Sequence, residues 1–241
     1  MKAVILAAGR GKRLKEVTEP INKSMLKFNG RHLIEYSLET ARLAKVDEIV
    51  IVVGYRAEDI VNVFGIDYRG TRIRYVIQEQ QRGLVDAIER TREAIAGDDF
   101  ILLLADEIMI HPDPMAMFNT FKNEKLFALC GVAKVEDRDL IKRTYSVIYN
   151  HEDNRLYRLI EKPRNPSGNI MGTGNCIFRN EIFDYIKYTP INHVRNEKEL
   201  PDLIQCAIDD GHHVKLFLID SYYVNINTQD DIDLAEQKFK K

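Results

Sequence analysis

Three short stretches of this 241-residue chain carry side chains suited to handling phosphate. The first is Leu6-Ala7-Ala8-Gly9-Arg10-Gly11-Lys12-Arg13-Leu14, two glycines and three cations directly after the apolar run Ala3–Leu6. Glycines let backbone N–H groups approach phosphate oxygens closely, and arginine and lysine neutralise their charge. A tight turn with exposed basic residues is the plainer reading of the glycines alone. Two phosphate loops are excluded: the dinucleotide fingerprint needs a third glycine where this chain has Leu14, and the Walker loop needs Ser or Thr where it has Arg13. The second stretch, Ala105-Asp106-Glu107, follows the apolar run Ile101–Leu104 and offers Asp106 as a hard oxygen ligand for Mg²⁺. An Asp in that place is otherwise a turn residue, and Glu107 is expected to face solvent. The third is Glu161-Lys162-Pro163, where proline fixes φ and stops a strand, holding Lys162 at an edge that faces a cleft.

The elements that must position these groups alternate along the first half. Short β-branched runs at Ala3–Leu6, Glu48–Val53, Ile73–Gln78 and Phe100–Leu104 are separated by helical patterns at Leu33–Leu43, Ala57–Phe64 and Leu84–Ala96. That rhythm predicts βαβ units: an α/β, Rossmann-like, mostly parallel central sheet flanked by helices, with ligands at the carboxyl ends of its strands. After about residue 135 the pattern loosens into Thr144–Tyr149, Leu156–Glu161 and Ile170–Phe178, which predict a small antiparallel insertion on the substrate side. Helices near Glu181–Lys187 and Glu199–Asp210, a strand pair Val214–Ile219 and Tyr222–Asn225, and a closing helix from Asp230 complete the reading. The apolar residues of Leu203–Ile208 recur at helical spacing and read as core.

One self-sufficient domain over 1–241 is expected, with a nucleotide-binding part at about 1–135 and an acceptor-binding part at about 136–241. Lysine plus arginine (35) nearly balances aspartate plus glutamate (37), leaving a net charge of −2. No long-range attraction for nucleic acid or an anionic membrane follows, so neither is an expected partner. The apolar start ends at Gly9 without a small-residue cleavage site and reads as a strand rather than a signal peptide. No window approaches the roughly 18 apolar residues of a membrane span. Cys130, Cys176 and Cys206 are odd in number and far apart, against a disulfide framework or a structural zinc site. A cytoplasmic protein is expected. His212-His213 lies in a predicted turn, where vicinal side chains diverge, and is not read as a metal site.

Leu6-Ala7-Ala8-Gly9-x-Gly11-x-Arg13-Leu14, followed by Asn22-Lys23-x-Met25-Leu26, resembles the signature of the nucleotidyltransferase family that includes glucose-1-phosphate thymidylyltransferases and uridylyltransferases. The resemblance extends in order along nearly the whole chain. It departs at Asn22, where the family pattern has proline. It implies that Leu6, Ala8, Gly9, Gly11 and Arg13 bind the nucleotide, with Arg13 on the triphosphate and Lys23 on the reacting phosphates. It further implies that Asp106 and Asn225 hold Mg²⁺, Asn225 being a neutral variant of an aspartate found in many thymidylyltransferases. Gln78 and Gly83 match a segment that hydrogen-bonds a pyrimidine base. Lys162 matches a contact to the sugar phosphate, Glu161 one to a sugar hydroxyl, and Gly172-Thr173-Gly174-Asn175 a turn in which Gly174 and Asn175 line the acceptor pocket. Ser146 stands where many sugar enzymes have glycine, which puts the acceptor identity in doubt.

The reaction so implied joins a pyrimidine NTP to a sugar 1-phosphate, releasing pyrophosphate, with Arg13, Lys23, Asp106 and Lys162 as the catalytic set. Bringing two anions together demands charge neutralisation and alignment rather than covalent work. Two alternatives are a CTP-dependent cytidylyltransferase acting on phosphocholine, a phosphonate or another non-sugar phosphate, and a catalytically silent sugar-nucleotide sensor. A homo-oligomer is expected from the resemblance alone.

Overall fold

The computed structural model describes residues 1–9, 22–220, 222–227 and 229–239. The first half alternates as read: β1 (Lys2–Leu6), α1 (Leu33–Leu43), β2 (Ile49–Val53), α2 (Ala57–Phe64), β3 (Thr71–Ile77), α3 (Leu84–Arg90), α4 (Arg92–Ile95), β4 (Phe100–Leu104) and β5 (Glu107–Ile110). The helical pattern Leu84–Ala96 is broken at the buried Thr91. Its hydroxyl and its N–H both donate to the Ile88 carbonyl, tightening the turn and ending α3.

The second half contributes α5 (Pro114–Asn123), β6 (Ala128–Lys134), β7 (Tyr145–Tyr149), β8 (Leu156–Glu161), β9 (Ile170–Phe178), α6 (Leu200–Asp209), β10 (Val214–Leu218), β11 (Tyr222–Asn225) and α7 (Gln229–Phe239). β3, β2, β1 and β4 lie side by side and parallel, and β9 then pairs antiparallel with β4. The antiparallel strands therefore extend the main sheet, β9 joining β6 along one edge and β7 along the other, with β8 outside β7. The last two strands do not pair with each other. β10 runs parallel to β6, whereas β11 leaves the sheet and pairs antiparallel with β5, setting Asn225 opposite Glu107. The reason is burial: Val214 and Leu216 complete the core beside β6, while β11 is half-buried along its length.

Successive residues of a strand point to opposite faces, and the core divides accordingly. Val4, Leu6, Val50, Val52, Phe100 and Leu102 face one cluster with α3 and α6. Ala3, Ile5, Ile49, Ile51, Ile101 and Leu103 face the other, against α1 and α5. Each fully buried aliphatic or aromatic side chain contributes about 1.5–3 kcal/mol, so the sheet is a stiff platform for groups at its carboxyl edge. Among the described residues no helix is long and apolar enough to cross a membrane.

Candidate active site

A cavity of about 350 Å³ opens at the carboxyl ends of β1 and β4. Leu6, Ala8 and Gly9 line it, as do Gln78 and Gly83; Gly11 and Arg13 lie outside the described residues. Gln78 is buried, and its amide nitrogen donates to Asp86 Oδ2 (2.7 Å) and to the Gly83 carbonyl (3.1 Å). Both amide protons are thereby committed, so the group left for a ligand is the acceptor Oε1. Gly83 adopts φ +93°, a left-handed conformation, and a Cβ there would lie 3.0 Å from Cβ of Glu197.

Lys23 and Asp106 meet on the cavity wall, Nζ 2.6 Å from Oδ2. Asn22 explains how Lys23 is aimed. Its buried side-chain amide donates to the carbonyls of Ala7 (3.3 Å) and Tyr55 (2.8 Å), and its oxygen accepts from the N–H and hydroxyl of Ser24. A proline at this position would make none of these bonds. Asp106 is fixed through its carbonyl, which accepts from the N–H of Ile226. That bond brings the end of β11 alongside: Asn227 Oδ1 lies 3.4 Å from Lys23 Nζ, and Asn227 Nδ2 donates to Asn225 Oδ1 (3.0 Å). Asn227, which carried no role in the sequence reading, thus links Lys23 to Asn225.

Glu107 does not face solvent. It is buried, and its carboxylate accepts from the Gly174 N–H (2.9 Å) and from Asn175 Nδ2 (2.7 Å). The alternation that points Asp106 to the cleft sends the next side chain inward. Burial, with the charge of Asp106 beside it, pushes the Glu107 carboxyl up to about 8. Gly172-Thr173-Gly174-Asn175 is likewise not a turn: it lies inside β9, at a shift of register against β6 between Gly172 and Cys176. Gly174 is required by close packing, since a Cβ there would lie 2.2 Å from Cγ of Leu104.

A second cavity of about 200 Å³ adjoins the first across the shared walls of Leu84, Leu104 and Glu197. Glu107, Glu161, Lys162, Gly174 and Asn225 line it. Lys162 Nζ is 2.9 Å from Glu161 Oε1, and Arg195 bridges Glu161 (3.2 Å) to Glu199 (2.6 Å through Nε). Burial raises the Glu161 carboxyl, while the ammonium of Lys162 and the guanidinium of Arg195 pull it back. Two acceptor residues fall elsewhere. Ser146 is buried opposite Met171, on the face of β7 away from the cavity-lining Tyr145, because adjacent strand residues alternate. Asn175 reaches the cavity only through its bond to Glu107. Arg195, Glu197 and Glu199 were missed. Their signal was charge at every second position just before Leu200-Pro201, the first two residues of α6.

His212 stacks on Phe127 with ring centroids 3.9 Å apart, and its Nε2 lies 2.6 Å from the Tyr185 hydroxyl. Among the described residues no three His, Cys, Asp or Glu side chains cluster as metal ligands.

Known proteins are similar to this chain over nearly its full length. The chain is 29% identical to the UTP–glucose-1-phosphate uridylyltransferase AglF of Haloferax volcanii, covering 100% of this chain and 97% of that protein. It is 28% identical to a glucose-1-phosphate thymidylyltransferase of Streptomyces griseus, over 96% of this chain and 64% of that longer protein. Its fold superimposes on a UDP-glucose pyrophosphorylase complexed with UDP-glucose with a TM-score of 0.88 at 21% identity, covering 99% and 98% of the two chains. A UTP-bound UGPase of Acinetobacter baumannii gives a TM-score of 0.84 at 20% identity, covering 99% and 92%. The model of the nucleotidyl transferase family matches residues 2–239, and with the match spanning both cavities and the strands between them, the chain belongs to that family and is a transferase.

Proposed function

We propose that the protein condenses a pyrimidine nucleoside triphosphate with a sugar 1-phosphate, giving a nucleotide sugar and pyrophosphate. The observation that carries this reading is the Lys23–Asp106 pair beside the junction of two cavities. One cavity holds an amide and a glycine suited to a base; the other pairs carboxylates with Lys162, and Arg195 holds Glu161 from outside its lining. In the first cavity Gln78 Oε1 accepts from the ring N–H of uracil or thymine. In the second, Glu161, held in place by Arg195, accepts from an acceptor hydroxyl while Lys162 neutralises its phosphate. Gly11 and Arg13, in the basic loop, are assigned to the triphosphate. Lys23 attracts the reacting phosphates and lowers their mutual repulsion.

Mg²⁺ suits the donor set. Asp106 supplies one carboxylate and Asn225 a neutral carbonyl oxygen, both hard donors, and such sites draw their remaining ligands from water and substrate phosphates. When bound, the ion would neutralise charge on the phosphates. The relatives' activities, as a UTP–glucose-1-phosphate uridylyltransferase and a glucose-1-phosphate thymidylyltransferase, support a hexose 1-phosphate acceptor. The test is pyrophosphate release with Mg²⁺, offering UTP, dTTP, CTP, ATP and GTP against sugar 1-phosphates, phosphocholine and simple phosphonates. Release with one pyrimidine triphosphate and one sugar phosphate is expected. Release only with a non-sugar acceptor, or with a purine nucleotide, would overturn the assignment.

A further inference from the structure

Glu161 and Lys162 are consecutive, yet both line the acceptor cavity. In a regular extended strand neighbouring side chains point to opposite faces, yet Lys162 Nζ meets Glu161 Oε1 at 2.9 Å. β8 is regular up to Glu161, which pairs with Tyr145 of β7. The exception is Lys162 itself, at φ +42°. This left-handed conformation is uncommon for a residue with a Cβ, and more so here because the following Pro163 favours an extended predecessor. The Lys162 N–H donates to the Thr144 carbonyl (2.6 Å) and Nζ closes back on Glu161 (2.9 Å), so the strained residue is held from both ends. Pro163 has no N–H with which to continue the ladder against β7.

We propose that the left-handed Lys162 is a positioning device, a backbone kink that swings the ammonium onto the same side as Glu161 so that one cavity receives both charges. The inference rests on the acceptor-site reading given above. The molecule contains its own control. His111, also left-handed at φ +54°, precedes Pro112 at the far end of β5, outside both substrate cavities.

Two measurements test the proposal. Lys162→Gly and Lys162→Ala both remove the ammonium, but only glycine is at ease at positive φ. The glycine variant should melt roughly 2–4 °C above the alanine variant, the reverse of the order in a regular strand. Equal melting, or a more stable alanine variant, would remove the strain and with it the proposal. The second variant, Pro163→Val, restores a donor and favours continued extension while keeping Lys162. It should raise KM for the sugar 1-phosphate at least about tenfold, leaving KM for the triphosphate within about twofold, whereas Pro112→Val should leave the acceptor KM unchanged. An acceptor KM in Pro163→Val within about twofold of the unaltered protein would overturn the positioning role. If the unaltered protein releases no pyrophosphate with any sugar phosphate, the functional reading fails, but the glycine-against-alanine order still decides whether Lys162 is strained.

Discussion

The two halves of the active site are built by different means. On the proposed nucleotide side, functional groups stand where parallel strands end: Leu6 closes β1 and Asp106 stands just beyond β4, strands whose residues are nearly all buried, while Gln78 follows the more exposed β3, in which only Ile73 is buried. The sheet does the aiming, one group per strand end. On the proposed acceptor side the strands are antiparallel: the regular pair Tyr145 and Glu161 faces the cavity, and two irregularities, the register shift in β9 and the left-handed Lys162, add further groups to it. The charges there are also more deeply interlocked, since Glu107, Glu161 and Glu199 all have protein partners. Parallel strand ends present any side chain at the sheet's edge; here the antiparallel strands place Lys162 in the cavity only through a local irregularity, which ties that contact to stability.

If this contrast holds, changes on the nucleotide side should cost rate while leaving the fold alone, and changes on the acceptor side should cost both. Asp106→Ala should lower kcat/KM for pyrophosphate release by about 10²–10³-fold with an unchanged melting temperature; retained turnover would remove Asp106 from the centre. Glu107→Ala should lose about 2–4 kcal/mol in urea unfolding, because it strands the Gly174 N–H and the Asn175 amide. Glu107→Gln should lose much less.

The same residue predicts a pH dependence. Its folded pKa, about 8, lies above the ordinary glutamate value of 4.5, so the folded state binds the extra proton. Its contribution is fully present below about 4.5 and is lost as pH rises through about 8. Without divalent cations, stability should therefore fall across that window in the unaltered protein more than in Glu107→Gln; parallel profiles would contradict the assignment. Arg195→Ala should raise KM for the sugar phosphate about tenfold with little change in KM for the triphosphate, and Arg195→Lys should restore it only in part. Gly83→Ala is expected to have the smallest effect, about 1 kcal/mol and a few-fold rise in triphosphate KM, through its positive φ and its crowding of Glu197.

What was legible in the sequence follows the same divide. Hydrophobic period located β1, β2, α1, α2 and β4 because each buries a continuous or regularly spaced apolar face, and the glycines and charges at their ends followed. Period could not locate the partner of β11, since pairing with β5 or with β10 satisfies the same pattern; only the three-dimensional surplus of core beside β6 decides it. Nor could it orient Glu107, Ser146 or the Gly172–Asn175 segment. Which face a strand residue takes depends on register, and a shift of one reverses every side chain. Arg195 and Glu199 escaped because a two-residue strand in a loop carries almost no periodic signal.

The contact between Lys23 and Asn227 spans 204 positions of sequence. The Lys23 ammonium can therefore take up its contact with Asn227 only after β11 has been made and folded back onto β5, so the last strand to be synthesised completes a cluster that begins near the start of the chain.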